Sequence, residues 1–535
     1  MFTTGTATDY NDLFDKLCDY VSLKGSAFGL EYSGTGTGTL GSYSGGADSV
    51  AETFTITATG ATTFTVVGSV TGSLPNATVG TPYAEDEIEF TITAGGTAFV
   101  SGDQFTISTA PKWTILRKTR GAIVLADSGN TGATGAQNLT DGKIAVDNNR
   151  RFQASSVSWP FDIEFTFQEA ETIADYQICA LQSTALSYLP KTWTFDYWTG
   201  SAWSTLDSAT DETGWIEGEV RTFTVGSPVA ATKYRLHITV GNVSSYLSIG
   251  AVRLRRSDTV DAAFGEAIFE APGNDGDSEI LVGLHPFERQ DGDYFDWEIA
   301  AFDAYLATSL FRQQAGYHGN LYLPLWDSSI PYWFIVDGRR AIVVAKLNTQ
   351  YEIAYFGFLD SYFSPEQWPY PIAIGGALAF DDNPPTWESS SFRWSNATRE
   401  HRAFTHSDLE STIYADEPDR MQMRARDWSG DWRGFFGTQN DATPYASEDF
   451  NFVWPVCCGL SLLDVNLDDS YSLWPVMLMT STPNTIGELR GVRVVTGQAL
   501  TAETMIDDPD YAYRWIAFHN IFRTDRDDFL AIALD

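Results

Sequence analysis

Residues 331–377 read PYWFIVDGRRAIVVAKLNTQYEIAYFGFLDSYFSPEQWPYPIAIGGA. Two β-rich runs, 332–336 and 341–347, flank Asp337-Gly338-Arg339-Arg340. Asp-Gly between apolar runs predicts a hairpin, because a tight turn needs positive φ angles that Asp and Gly tolerate. A third run, 351–358, alternates loosely and ends at Gly357-Phe358. Trp368-Pro369-Tyr370-Pro371 then halts regular structure, since two prolines fix φ and remove backbone donors. Gly375-Gly376 closes the stretch with a backbone that glycine adopts at low cost. The expected product is a β-meander with a stiff aromatic-proline corner.

Working outward, a chain of 535 residues exceeds a single core and is expected to form roughly three or four domains. With 43% hydrophobic residues, including 17 Trp, 24 Tyr and 34 Phe, the chain can fill those cores, which excludes global disorder. Abundant Gly and Thr with few helical periods predict a mainly β, multidomain protein. The balance of 33 basic against 70 acidic residues, net −37, repels phosphate backbones and anionic membranes, so no nucleic acid is expected as a stable partner. The start, Met1-Phe2-Thr3-Thr4, lacks the charged and apolar regions of a signal peptide, and no apolar run is long enough for a membrane span. Four cysteines make no disulfide framework; all are expected as buried thiols, with a bridge between subunits as the alternative.

Taken in order, DYNDLFDKLCDYVSLK (9–24) places Leu13, Phe14, Leu17, Tyr20 and Val21 at helical spacing after a capping Asp9. That stripe fits two roles: packing on its own domain, or docking a neighbouring subunit as part of a segment 1–32. Residues 33–49, rich in Gly, Ser and Thr, read as a mobile loop. Phe54-Thr55-Ile56-Thr57 is echoed by Phe90-Thr91-Ile92-Thr93, with apolar residues on one face and hydroxyls on the other. The two strand-turn-strand units predict a small β-sandwich or barrel within 33–118. About eight short strands then fill 119–256, the pattern of a jelly-roll sandwich. Residues 257–535 read as a larger β-rich domain, in which the polar stretch 406–450 is a functional loop or an inter-subunit arm.

Two resemblances attach to these residues. The run YFGFLDSYFSPEQWPYPIAIGGA (355–377), with IGELRGVRVVTG (486–497) and WIAFHNIFRTDRDDFLAIAL (515–534), resembles virion structural proteins of tailed bacteriophages. That resemblance covers mainly the C-terminal half. It implies a tail, baseplate or collar component, assembled in the host cytoplasm and resident in the virion. Its expected partners are other virion proteins and copies of itself in a symmetric ring or fibre. Within 119–256, the opening Asp141-Gly142, the hairpin WTFDYWTGSAW (193–203) and YRLHITV…LSIGAVRLR (234–255) are similar to discoidin-like (F5/8 type C, galactose-binding-like) domains. Such domains bind sugars or lipids through loops at one end, or serve as spacers. The resemblance places Asp141, Asn148, Asn149, Arg150, Arg151 and Phe152 in an early loop of that kind, as candidates for a host surface glycan.

Signatures of catalysis are missing. His237, His285, His318, His401, His406 and His519 are scattered, with no HExxH and no Cys-x-x-Cys, so no metal and no cofactor are expected. No P-loop, dinucleotide fingerprint or GxSxG elbow appears in a supporting context. A pair of carboxylates for glycoside hydrolysis is not singled out among 70 acids. The leading expectation is assembly rather than an enzyme, then glycan binding, then polysaccharide cleavage.

Overall fold

In the computed structural model the stretch at 331–377 forms the middle of a three-layer β body. The structure describes residues 2–126, 136–140, 152–181, 186–273, 280–289, 294–378, 423–435, 452–454, 470–480, 485–507, 514–519 and 529–534. Ile330–Val336, Arg340–Leu347 and Gln350–Phe358 pair consecutively and antiparallel, with Val336 opposite Ala341 and Leu347 opposite Gln350. The central sheet runs in the order Phe2–Ala7, Ile330–Val336, Arg340–Leu347, Gln350–Phe358, Ile372–Gly375, Met423–Arg426, Trp432–Phe435.

Successive strand residues face opposite sides, so runs that are apolar at every position need cover on both faces. Phe334, Val336, Val343, Ala345 and Phe356 pack with Trp297, Ile299, Leu321 and Leu323 of an inner sheet. That sheet contains Thr114–Arg120, Gly265–Ala271, Ile280–Arg289, Tyr294–Ala301 and His318–Leu325. Trp333, Ile335, Ile342, Val344 and Tyr355 face the other way, onto Leu478, Val492, Val494, Phe518 and Ile532 of an outer sheet. Ile330–Val336 and Arg340–Leu347 are thereby buried on both faces, whereas the edge strand Phe2–Ala7 keeps one face partly exposed.

The turn at 337–340 departs from the expected geometry: neither Asp337 nor Gly338 takes a positive φ. Asp337 Oδ1 accepts from the backbone N–H of Arg339 (2.7 Å) and Arg340 (3.0 Å), so a side chain closes the turn. Glycine is needed at 338 for another reason. A Cβ there would lie 2.5 Å from Cβ of Ala110, where the N-terminal sandwich abuts the body.

The helix Tyr10–Leu23 is capped by Asp9, whose Oδ1 accepts from Asn11 (2.9 Å) and Asp12 (2.8 Å). Its stripe corrects the docking expectation. Leu13, Phe14, Leu17 and Val21 are buried in the core between the inner and central sheets, and Tyr20 packs against Phe334 at 6.0 Å. They are spent on this chain's own interior and offer a neighbour nothing. The flanking segments belong to the body as well. Phe2–Ala7 pairs with Ile330–Val336, and Thr114–Arg120 with Gly265–Ala271.

Between them, residues 26–110 form a sandwich of five- and three-stranded sheets. The two near-repeats lie in opposite sheets, with Phe54, Ile56, Phe90 and Ile92 meeting in one core. Part of the expected mobile loop is ordered: Thr39–Gly45 pairs with Ile88–Thr93. Asp103 secures the rest, accepting from the backbone of Thr35 (2.9 Å) and Gly36 (3.0 Å).

The jelly-roll sandwich follows. Its larger sheet holds Ile123–Ala126, Phe161–Thr172, Ala230–Gly241, Pro190–Trp198 and Trp203–Ala209; its smaller holds Val220–Thr224, Asp175–Cys179 and Ala251–Arg255. Tyr176 stacks on Phe195 (4.5 Å) and Phe223 (5.1 Å), and its hydroxyl receives the Trp193 indole N–H at 3.0 Å. The protein is mainly β, with a jelly-roll sandwich carried on a larger β-rich body. Among the described residues, Tyr10–Leu23 is the only α-helix.

Candidate functional site

The jelly-roll has two ends with different surroundings. At one, the chain enters and leaves. Arg120 bridges Asp15 of the helix (3.1 Å) and Glu169 of the sandwich (2.7 Å), and Arg255 pairs with Asp175 (2.6 Å). Just beyond the exit, Arg253 meets Asp261 (3.5 Å), while the buried Arg117–Glu266 pair (2.8 Å) ties the two nearest body strands. The Arg120 and Arg253 contacts fix the sandwich to its mount.

The opposite end gathers loops from four places in the sequence. Val157 N donates to Ser245 O (3.1 Å), Asn242 N to Leu189 O (3.3 Å), and the Asn242 amide to Glu212 O (3.2 Å). Three aromatic rings sit on this framework. Trp159, half-buried, donates its indole N–H to Ser244 O at 3.2 Å. Its ring passes so close to Gly241 that a Cβ there would lie 2.4 Å away, which explains the glycine ending Ala230–Gly241. Tyr188 and Tyr246 stack at 5.1 Å and 25°, and Tyr246 is 39% exposed.

Beside them Arg221 binds Glu212 (2.7 Å) and Glu219 (2.8 Å) and lies 3.9 Å from the Trp215 ring centre. The Arg221 hydrogen bond, with that from Ile216 N–H, holds the Glu219 carboxyl below its ordinary range. The local charges are thus internally matched. What remains for a ligand is an aromatic surface bordered by the exposed residues Ser244 and Ser245.

The residues predicted from sequence fall elsewhere. Asp141, Asn148, Asn149, Arg150 and Arg151 lie outside the described residues. Phe152 is corrected: it is fully buried, packs against Phe161 at 6.0 Å, and pairs in register with Ile249. An interior ring cannot stack on a sugar. The signal that would have found the observed end is an aromatic residue beside small polar residues between two strands, as in Ser158-Trp159-Pro160 and Asn242-Val243-Ser244-Ser245-Tyr246.

Other chemistry is sparse among the described residues. No group of three His, Cys, Asp or Glu side chains is placed to hold a metal ion there. His285 is enclosed between Phe264 (3.9 Å) and Phe287 (5.4 Å), and burial beside Arg312 pushes its pKa down to about 3. Cys18 and Cys179 are free, and burial pushes each thiol up to about 12. Cys457 and Cys458 lie outside the described residues.

No family model matches this chain, and no curated protein does. Solved structures are similar over about a quarter of it. One is the family 32 carbohydrate-binding module of NanJ from C. perfringens in complex with galactose: 18% identity, 26% of this chain, 96% of that one, TM-score 0.22. Another is the F5/8 type C domain of a Bacteroides fragilis protein: 11% identity, 26% and 95% coverage, TM-score 0.22. A third is a GH31 CBM32 module bound to GalNAc: 14% identity, 24% and 95% coverage, TM-score 0.21.

Proposed function

We propose that this chain recognises a glycan through the end of the jelly-roll that carries Trp159, Tyr188 and Tyr246, and that the three-layer body is a rigid mount for it. The observation that carries this reading is the position of three accessible rings at the end away from the mount, framed by serine hydroxyls. A pyranose has an apolar C–H face and a polar rim; rings bind the first and hydroxyls the second.

Full-length protein is expected to bind immobilised galactose- or GalNAc-terminated glycans. Trp159→Ala and Tyr246→Ala should each weaken binding by about tenfold or more, the loss of roughly 1.4 kcal/mol. No binding to any glycan at millimolar concentration would defeat this reading.

The setting we propose is the virion of a tailed phage. This rests on the resemblance of 355–377, 486–497 and 515–534, and on nothing in the tertiary structure. Mass spectrometry of purified particles should find the chain at fixed stoichiometry; its absence there would remove the setting and leave the glycan reading standing.

A further inference from the structure

The junction between the jelly-roll and the body holds ionisable groups that are largely screened from water. Arg253 comes from Ala251–Arg255 of the jelly-roll and Asp261 from the connection after it. Arg117 and Glu266 come from the paired body strands Thr114–Arg120 and Gly265–Ala271. The side chains of Arg253, Asp261, Arg117 and Glu266 are 14%, 4%, 5% and 4% exposed. They surround a cavity of about 10 Å³, walled on another side by residues 307–311 and large enough for about one water.

Glu266 meets Arg117 at two points, Oε1 with Nε and Oε2 with Nη2, both at 2.8 Å. The same guanidinium donates through Nη1 to Ser309 O (2.8 Å) and Ala307 O (3.3 Å), which pins that loop over the junction. Asp261 Oδ1 accepts from Leu254 N–H and Ala263 N–H, both at 3.1 Å, and so closes the connection between jelly-roll and body. Its Oδ2 stands 3.5 Å from Arg253 Nε, longer than a good hydrogen bond. Thr259 lines the same cavity and takes φ 69°, a costly conformation for a β-branched residue. The connection therefore stores strain that opening would release.

Two guanidinium and two carboxylate groups would balance if all were ionised, but attraction between buried ions repays their desolvation only in part. Burial, helped by the neighbouring Asp261, outweighs Arg117 and Arg253 and pushes the Glu266 carboxyl up to about 7. Burial also raises Asp261 against Arg253 and its two backbone donors. From Ile280–Arg289 the titratable group is His285, whose Nδ1 bonds Gly265 O and which burial keeps neutral. From the covering loop it is Tyr305, whose ring centre lies 5.8 Å from the Arg117 guanidinium. An opened, hydrated junction returns Glu266 toward its ordinary value of 4.5, so the closed junction holds the proton more tightly. The preference for closure is complete below pH 4.5 and is lost as pH rises through about 7.

We propose that this buried cluster is a proton-controlled lock on the seating of the jelly-roll: with a proton on Glu266 the junction stays closed, and loss of that proton favours an opened, hydrated junction. The lock does not depend on the glycan reading. Hydrogen exchange of the full-length protein, followed by mass spectrometry and corrected for intrinsic rates, tests it. Thr259, Ala262 and Ser309 N–H, bonded to Arg256 O, Leu254 O and Leu306 O, report opening. Their protection should fall at least about tenfold between about pH 5 and about pH 8.5. Glu266→Gln, which cannot ionise, should flatten that profile. Asp261→Asn, which removes the charge beside Glu266, should move its midpoint to lower pH. Protection in the parent that does not vary with pH would overturn the proposal, as would an equal variation in Glu266→Gln or a midpoint unmoved in Asp261→Asn. Opening on acidification instead would also overturn it, because the ion pairs and not the proton would then hold the junction.

Discussion

Trp297→Ala is expected to destabilise the body by about 3–5 kcal/mol, the range for truncating a fully buried large aromatic. Trp297 has no exposed surface and stands where the helix Tyr10–Leu23 meets the inner sheet. Its ring lies edge-on to Phe14 at 5.9 Å, and its indole N–H donates to Tyr10 O at 3.0 Å. Alanine removes the ring contacts, leaves a cavity and takes away the hydrogen bond, so three penalties coincide. Trp297→Phe keeps most of the volume and should cost much less.

The chain holds several cores, so more than one unfolding transition is expected, and only the body's should move. Urea unfolding followed by near-ultraviolet circular dichroism reads the shift. Limited proteolysis should show earlier cleavage within 8–24, because the helix loses its main anchor. A body midpoint within about 1 kcal/mol of the parent would mean that this core can collapse around the gap.

Asp337→Ala should be nearly as damaging, for an electrostatic reason. Asp337 is buried and pairs with Arg490 (3.0 Å) and Arg340 (3.4 Å), while Asp360 pairs with Arg339 (3.0 Å) and Arg490 (3.3 Å). Arg490 comes from the outer sheet and lies 5.7 Å from the Phe28 ring centre of the N-terminal sandwich. One carboxylate thus joins the central sheet, the outer sheet and a neighbouring domain. Removing one partner of a buried pair typically costs about 3–5 kcal/mol, because the remaining charge stays desolvated. Asp337→Asn retains an acceptor for Arg339 and Arg340 N–H and should lose less.

The pH dependence has a definite sign. Burial opposes ionisation of Asp337, but Arg490 and Arg340 prevail and hold its carboxyl well below the ordinary value of 3.8. Its contribution is therefore complete above pH 3.8 and is lost as pH falls below that toward the folded-state value. Parent and Asp337→Asn should differ at pH 7 and converge in strong acid. A constant difference across that range would show that the carboxylate charge is not what holds the junction.

Much of the local architecture was legible in the residues. Alternation marked Phe54-Thr55-Ile56-Thr57 and its echo as strands, and the spacing of Leu13, Phe14, Leu17 and Val21 after Asp9 marked the helix with its cap. The hairpin at 337–340 was legible, although its turn is closed by the Asp337 side chain rather than by positive φ. The candidate site was harder. Phe152 and Trp159 both look like loop aromatics in sequence, yet one pairs into a strand and faces the core while the other sits at an exposed end. That difference comes from register, and register depends on a partner strand, Tyr246–Ile249, some ninety residues away.

The sequence by itself determined the β class, the helix and the acidic surface, because periodicity, capping and charge act over a few residues at a time. Tertiary structure decided that Phe2–Ala7 completes a sheet built from residues beyond 330, and that the apolar stripe of the helix is already covered. It also decided that Trp159, Tyr188 and Tyr246 share one end. Those outcomes depend on which surfaces exclude water together, a choice made among distant segments whose local patterns are alike.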